Sequence, residues 1–196
     1  MNIGRLSAAQ LRAVYRERMV RDFPDDELKP LSMIEQALRR GAYECAAMFD
    51  GDEILAYAFF VILRRDGLQY WLFDYYAVRE DLRDSGVGSS FMRALAQYHL
   101  RSASCVLLEV DNPDTASDQS ERALRLRRER FYLRNGLLRT GVRAYVFGVD
   151  YRLLELPVNG AHTSGEVAQI YSDIYRSQLT KELFDTMVRV SAEAEQ

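Results

Sequence analysis

Asp74-Tyr-Tyr-Ala-Val78-Arg-Glu-Asp-Leu-Arg83-Asp-Ser-Gly86-Val-Gly88-Ser-Ser-Phe-Met92 joins two kinds of pattern within 19 residues. An apolar, aromatic run ends at Ala77 and Val78, and a polar turn follows. Gly and Ser then open a segment in which Val87, Phe91, Ala94, Leu95 and Tyr98 share one helical stripe. A strand therefore hands over to a helix. The first amides of a helix lack intrahelical acceptors and sit at its positive end, so such a start suits a phosphate. Gly86 and Gly88 let the backbone approach an anion closely, and Arg83 either adds a charged donor or braces the loop. Two familiar phosphate loops are excluded by spacing. The third glycine of a dinucleotide fingerprint falls on Phe91, and no lysine stands where a nucleoside-triphosphate loop needs one. A lone G-x-G also occurs where glycines merely shape a turn, so this stretch by itself names no ligand.

Upstream, Ser7 and Gln10 form a capping box for a helix with Leu11, Val14, Tyr15 and Met19 on one face. A loop from Asp22 to Pro30 and a shorter helix over about 31–40 follow, with Gly41 as its stop. The period then changes. Aromatic and aliphatic runs at 43–49, 53–63 and 69–78, separated by Asp50-Gly51 and Asp66-Gly67, read as three antiparallel strands joined by hairpins. Downstream of the helix after Gly86, a buried strand over 104–110 precedes a polar loop. A helix over about 121–134 stops at Asn135-Gly136, and strands at 142–147 and 149–156 follow. After Pro157 comes a linker, then one or two helices over about 166–190. A helix between the third and fourth strands forces a crossover, which places one parallel pairing in a mostly antiparallel sheet. The class is α+β, often filed with α/β.

The 196 residues suit one domain, with 48% hydrophobic and 28% charged residues typical of a globular chain. A net charge of -3 gives no general reason to expect nucleic-acid binding. No apolar run approaches the roughly 20 residues that span a bilayer. Met1-Asn-Ile-Gly-Arg-Leu6 lacks the long apolar core of a secretory signal, so a cytoplasmic location is the expectation. Cys45 and Cys105 read as two buried thiols. His99 and His162 stand in no metal-binding spacing, so no metal site is expected.

Arg83-Asp-Ser-Gly86-Val-Gly88 resembles the R/Q-x-x-G-x-G/A element of the GNAT superfamily of N-acyltransferases, and the element order from Ser7 to Leu156 is similar to that family's order. The resemblance implies a GNAT fold: a twisted, mostly antiparallel mixed sheet of about six strands flanked by helices. It implies an acyltransferase domain over 1–157, leaving 158–196 as a helical extension packed on that domain or on a partner subunit, in a monomer or homodimer. It further implies an N-acetyltransferase that moves an acetyl group from acetyl-CoA to a primary amine in a ternary complex, the alternative being a non-catalytic acyl-CoA binder. Ala77 and Val78 would hold the pantetheine arm, and the backbone of Arg83, Asp84, Ser85, Gly86, Val87, Gly88 and Ser89 the pyrophosphate. The third and fourth strands would splay apart to admit the thioester.

Phe131-Tyr132-Leu-Arg-Asn-Gly136-Leu137 is similar to the family's F/Y-Y-x-x-x-G-F segment. Tyr132 takes the place of the tyrosine that protonates the departing thiolate, the alternative being simple packing. Glu109, in an otherwise apolar strand beside the expected cleft, is the first candidate for the base that deprotonates the amine; Asp74 is the second. Either is alternatively a structural carboxylate paired with an arginine. Tyr75, Tyr76 and Phe23 line the acceptor cleft or pack in the sheet. Asp111, Asp114, Asp118 and Glu121 would draw in a cationic small-molecule amine. The pattern departs from the family at Arg125, where relatives carry an asparagine, and in a longer loop from Asp111 to Ser120.

Overall fold

A computed structural model describes residues 1–25 and 27–192 of the chain. Their eight strands follow the order β1-β2-β3-β4-β5-β7-β6-β8, with helices between them, in the expected α+β class. Two compact units divide the chain: Met1–Ile62 with Phe73–His99, and Leu63–Leu72 with Leu100–Gln196.

In the first unit, β1 (Asn2–Arg5) pairs antiparallel with β2 (Tyr43–Asp50), and β2 pairs antiparallel with β3 (Glu53–Arg65) through a turn at Gly51. β3 and β4 (Leu68–Val78) both run on into the second unit. The centre of β3 reads Leu55-Ala-Tyr-Ala-Phe-Phe-Val-Ile62, and every one of these side chains is buried. A strand covered on both faces needs no polar alternation, which explains the continuous run. Helix α1 (Ala8–Val14) starts at the Ser7–Gln10 capping box, passes through a π turn at Tyr15–Met19 and ends as α2 (Val20–Asp22). α3 (Leu31–Arg39) buries Ile34. α4 (Val87–Ala94) buries Val87, Phe91 and Met92, and a second π turn, Leu95–His99, continues it.

That turn corrects the stripe expected from spacing. Tyr98 is 71% exposed, because a π turn inserts about one extra residue and rotates all that follows off the buried face. Fully buried Met92 belongs to the core instead.

In the second unit, β5 (Cys105–Asp111), β7 (Val149–Glu155), β6 (Leu138–Val146) and β8 (Val188–Ala192) pair antiparallel in that spatial order. Phe147 and Gly148, with φ 48° and 96°, make the tight turn between β6 and β7. α5 (Gln119–Arg134) is capped by Asp118, and Gly136 follows it at φ 93°. α6 (Ser164–Arg176) opens with a Thr163–Glu166 capping box and buries Val167, Ile170, Tyr171 and Ile174. α7 (Lys181–Met187) buries Phe184.

The sheet has eight strands where about six were expected, and both additions lie at its edges. β1 is four residues long and β8 five, too short for a period to register in the sequence. The tail expected to stay helical to about Val190 turns to strand at Val188. Val188 is buried and Arg189 exposed, an alternation that suits a strand laid on β6.

One buried carboxylate joins three parts of the first unit. Glu44 on β2 accepts from Arg5 Nε at 2.9 Å and lies 2.5 Å from His99 Nε2. Burial opposes its charge, yet His99 and Arg5 outweigh burial and hold the carboxyl below its ordinary 4.5. A depressed folded pKa contributes stability that is complete above the ordinary value and is lost as pH falls through the folded one. Chemical unfolding of wild type and Glu44→Gln across acid pH should therefore show their stability difference shrinking as pH drops below about 4.5.

Candidate active site

The turn after β4 is shaped to leave a helix end uncovered. A single 3₁₀ turn, Glu80–Leu82, leads from Val78 to Gly86, the N-cap of α4. Gly86 lies in the left-handed region, at φ 88° and ψ -5°, and no side chain caps the helix. The first-turn amides at Val87, Gly88 and Ser89 consequently have neither an intrahelical nor a capping acceptor. A Cβ built on Gly86 would meet no atom within 4 Å, so that side of Gly86 is uncrowded. The other expected amides divide differently: those of Arg83 and Ser85 donate to the carbonyls of Glu80 and Leu82, at 3.1 and 3.4 Å.

Side chains brace this turn from behind. Arg83 Nη2 donates to the Asp22 carboxylate at 3.0 Å and Nε reaches the Val78 carbonyl at 3.5 Å, so it takes the bracing one of its two expected roles. Asp22 also accepts from Tyr57 at 2.7 Å. The Tyr76 hydroxyl donates to the Gly88 carbonyl at 2.6 Å, and its ring stacks on Phe91. Tyr76 thus supports α4, whereas Tyr75 turns to the loop before α3. Tyr75 accepts from the Lys29 amide and donates to the Glu27 carbonyl, both at 2.8 Å, and meets Phe23 edge to face. Asp74 beside it binds Lys29 Nζ at 2.6 Å and accepts from the Tyr43 hydroxyl. Burial first, and then Asp74, push the Tyr43 phenol well above its ordinary range.

In the second unit, Glu109 on β5 accepts hydrogen bonds from Tyr171 and, at 2.7 Å, from Tyr175, one turn apart on α6. Tyr132 on α5 is 8% exposed. Burial raises its phenol to about 12; Asp111 adds to the rise and Arg128 opposes it.

The four acidic residues expected to attract a cationic amine are engaged within the chain. Asp111 pairs with Arg128 at 2.8 Å and Asp114 with Arg152 at 2.6 Å, while Asp118 caps α5. Glu121 accepts from Ser117 and Arg125, which hold it down to about 2. Each of the four therefore has a partner within the chain. Arg125 Nη1 also donates to the Asn112 carbonyl at 2.7 Å and to Thr115 Oγ1 at 3.1 Å. The departure at Arg125 and the longer loop are therefore one feature, since the arginine pins the loop.

A sequence model of the acetyltransferase (GNAT) family matches residues 8–132. The chain belongs to that family. A protein from Bacteroides thetaiotaomicron described as a GNAT-family acetyltransferase superposes with a TM-score of 0.63 at 18% identity, over 93% of this chain and 98% of its own. The ribosomal-protein-S18-alanine N-acetyltransferase of Escherichia coli gives 0.52 at 20%, over 82% and 96%. An aminoglycoside 6′-N-acetyltransferase complexed with coenzyme A gives 0.56 at 15%, over 83% and 99%. At these identities the likeness is one of fold. No curated protein sequence matches the chain significantly.

Two groupings in this GNAT chain were invisible to sequence reasoning. One is the pair of phenols on Glu109, whose signal was only the i, i+4 spacing of Tyr171 and Tyr175 on an amphipathic helix. The other brings Cys105, Glu155 and His162 together in the second unit.

Because Gly86 is strained for other residues but not crowded, Gly86→Ala should cost about 1–2 kcal/mol through backbone strain alone. Gly136, also at positive φ with open space around it, should respond alike. Equilibrium denaturant unfolding of both variants checks this.

Proposed function

We propose that this chain is an N-acetyltransferase that moves the acetyl group of acetyl-CoA to a primary amine by direct attack. The observation that carries the reading is the open, uncapped N-terminus of α4 at Gly86, inside the segment that matches the family. Amides with unmet hydrogen-bonding capacity at the positive end of a helix are the donors a pyrophosphate requires. On this reading the amides of Val87, Gly88 and Ser89 hold the diphosphate, Arg83, Asp84, Ser85 and Gly86 shape the turn that presents them, and Ala77 and Val78 hold the pantetheine arm. Acetyl-CoA supplies the acyl group already activated as a thioester.

The chain's own residues would move the protons. The attacking amine forms the N–C bond and gives up a proton to a carboxylate, and the C–S bond breaks as Tyr132 donates its phenolic proton to the sulfur. Glu109 is taken as the base and Asp74 as the second candidate; Tyr171 and Tyr175 donate to Glu109, and Lys29 and Tyr43 to Asp74. The acceptor is read as a small-molecule amine meeting Tyr75 and Phe23. The protein is read as cytoplasmic, a monomer or homodimer, binding neither nucleic acid nor membrane. Residues 1–157 would be the acyltransferase domain and 158–196 an extension of it.

Calorimetry with CoA and acetyl-CoA is the first test. Binding is expected, and a folded sample that binds neither removes the reading. Gly86→Val should weaken CoA at least tenfold, while Gly136→Ala, also at positive φ but outside residues 83–89, leaves affinity unchanged. Tyr132→Phe and Glu109→Gln should each lower kcat about 10²-fold in a mass-spectrometric screen of amines, with CoA affinity retained. Wild-type rates in both variants would reassign the chain as a non-catalytic binder. With its phenol near 12, Tyr132 stays protonated at mildly alkaline pH, so the pH–rate profile should show no fall there from its ionisation.

A further inference from the structure

One corner of the second unit gathers a thiol, a carboxylate and an imidazole. Cys105 opens β5 and Glu155 closes β7, where Glu155 stands opposite Leu107 in the antiparallel register. Residues i and i+2 share a face of a strand, so Cys105 and Glu155 are diagonal neighbours on one face. His162, in the segment between β7 and α6, completes the group. Its ring Nδ1 lies 2.5 Å from Glu155 Oε1, and its amide donates to Oε2 at 3.0 Å. The Cys105 thiol donates to Oε1 at 3.5 Å. One ligand atom from each residue lies within 4.8 Å of the other two.

The geometry points to a zinc site formed by Cys105 Sγ, Glu155 carboxylate and His162 Nδ1. Three physical features support it. Thiolate, imidazole and carboxylate are the donor types zinc takes, and three protein donors plus water is an ordinary coordination for it. With zinc–sulfur and zinc–oxygen bonds of about 2.3 and 2.0 Å, the S···O edge of a tetrahedron is about 3.5 Å, which is the separation found here. The imidazole and carboxylate would need to part by somewhat under 1 Å, a shift the ring can make from its connecting segment.

The site is enclosed yet reachable. Cys105 and Glu155 are 1% and 2% exposed, while the His162 side chain is 24% exposed and gives solvent a path to the fourth position. Uptake forms Zn–S, Zn–O and Zn–N bonds and expels the thiol proton to solvent. The Nδ1 proton moves to Nε2 or, from an imidazolium, also to solvent. The site is separate from the residues assigned to acyl transfer, so it stands whether or not that assignment does.

The test uses the full-length chain, stripped with chelator and titrated with Zn²⁺ and with Co²⁺. About one ion per chain should remain after gel filtration, and the cobalt form should show a thiolate-to-metal charge-transfer band in the near ultraviolet. Cys105→Ser should abolish that band. His162→Gln, at a partly exposed position outside the strands, should keep the native circular dichroism and lower zinc affinity tenfold or more. Failure of the wild-type chain to take up either ion overturns the proposal. So does uptake without the thiolate band, or affinity unchanged in folded His162→Gln; the group is then a hydrogen-bonded Glu155–His162 pair.

Discussion

Backbone amides at the start of a helix must find acceptors, and the first unit leaves those of α4 without any from its own cap. A Ser, Thr or Asp at position 86 would fold its side chain over the second or third amide and satisfy it internally. Glycine cannot, and its φ of 88° turns the chain directly into the helix at Val87. Much nearby structure supports this choice. Arg83 ties the turn to Asp22 at the end of the first helix, Asp22 is fixed by Tyr57 from β3, and Tyr76 from β4 holds the Gly88 carbonyl. The open end is thus built, with side chains from two strands and a helix set behind it.

The second unit is organised by carboxylates inserted among apolar strands. Glu109, Glu129 and Glu155 each interrupt a buried surface, and each is met by hydrogen bonds or counter-charges. Glu129, fully buried on α5, receives Arg139 at 2.9 Å with Arg152 at 3.7 Å. Glu109 receives two phenols from α6, and Glu155 receives the ring and amide of His162. An unpaired charge in such a position would be very costly, so each partner is needed wherever its carboxylate is ionised.

How far sequence reading could go follows from the range of these interactions. The hairpins at Asp50-Gly51 and Asp66-Gly67, the Ser7 cap and the Gly86 handover are local, written within a few adjacent residues, and the structure has them all. β1 and β8 were missed because four or five residues carry no usable period; each exists because a longer neighbour offers an edge. Tyr98 was misplaced because a π turn leaves no compositional mark. The pairings of Glu109 with Tyr171 and of Cys105 with Glu155 span 62 and 50 positions, and no spacing rule reaches so far. Nor does any local rule say that tyrosines reach Glu109, or that a lysine and a tyrosine reach Asp74.

The residues after Pro157 gain a role from this arrangement. Ser164 donates to the Thr140 carbonyl on β6 at 2.6 Å, Asp173 pairs with Arg65 at 2.5 Å, and β8 extends the sheet along β6. The same segment provides the phenols on Glu109 and the imidazole on Glu155. Removing it would expose apolar surface on β6 and, in addition, leave two carboxylates short of donors. A helical extension that only covered surface would tolerate Tyr→Phe at 171 and 175 with little consequence. Here each hydroxyl donates to the Glu109 carboxylate, so losing either would remove a hydrogen bond from a carboxylate set in an otherwise apolar strand. The tail therefore supplies β5 with polar partners as well as cover.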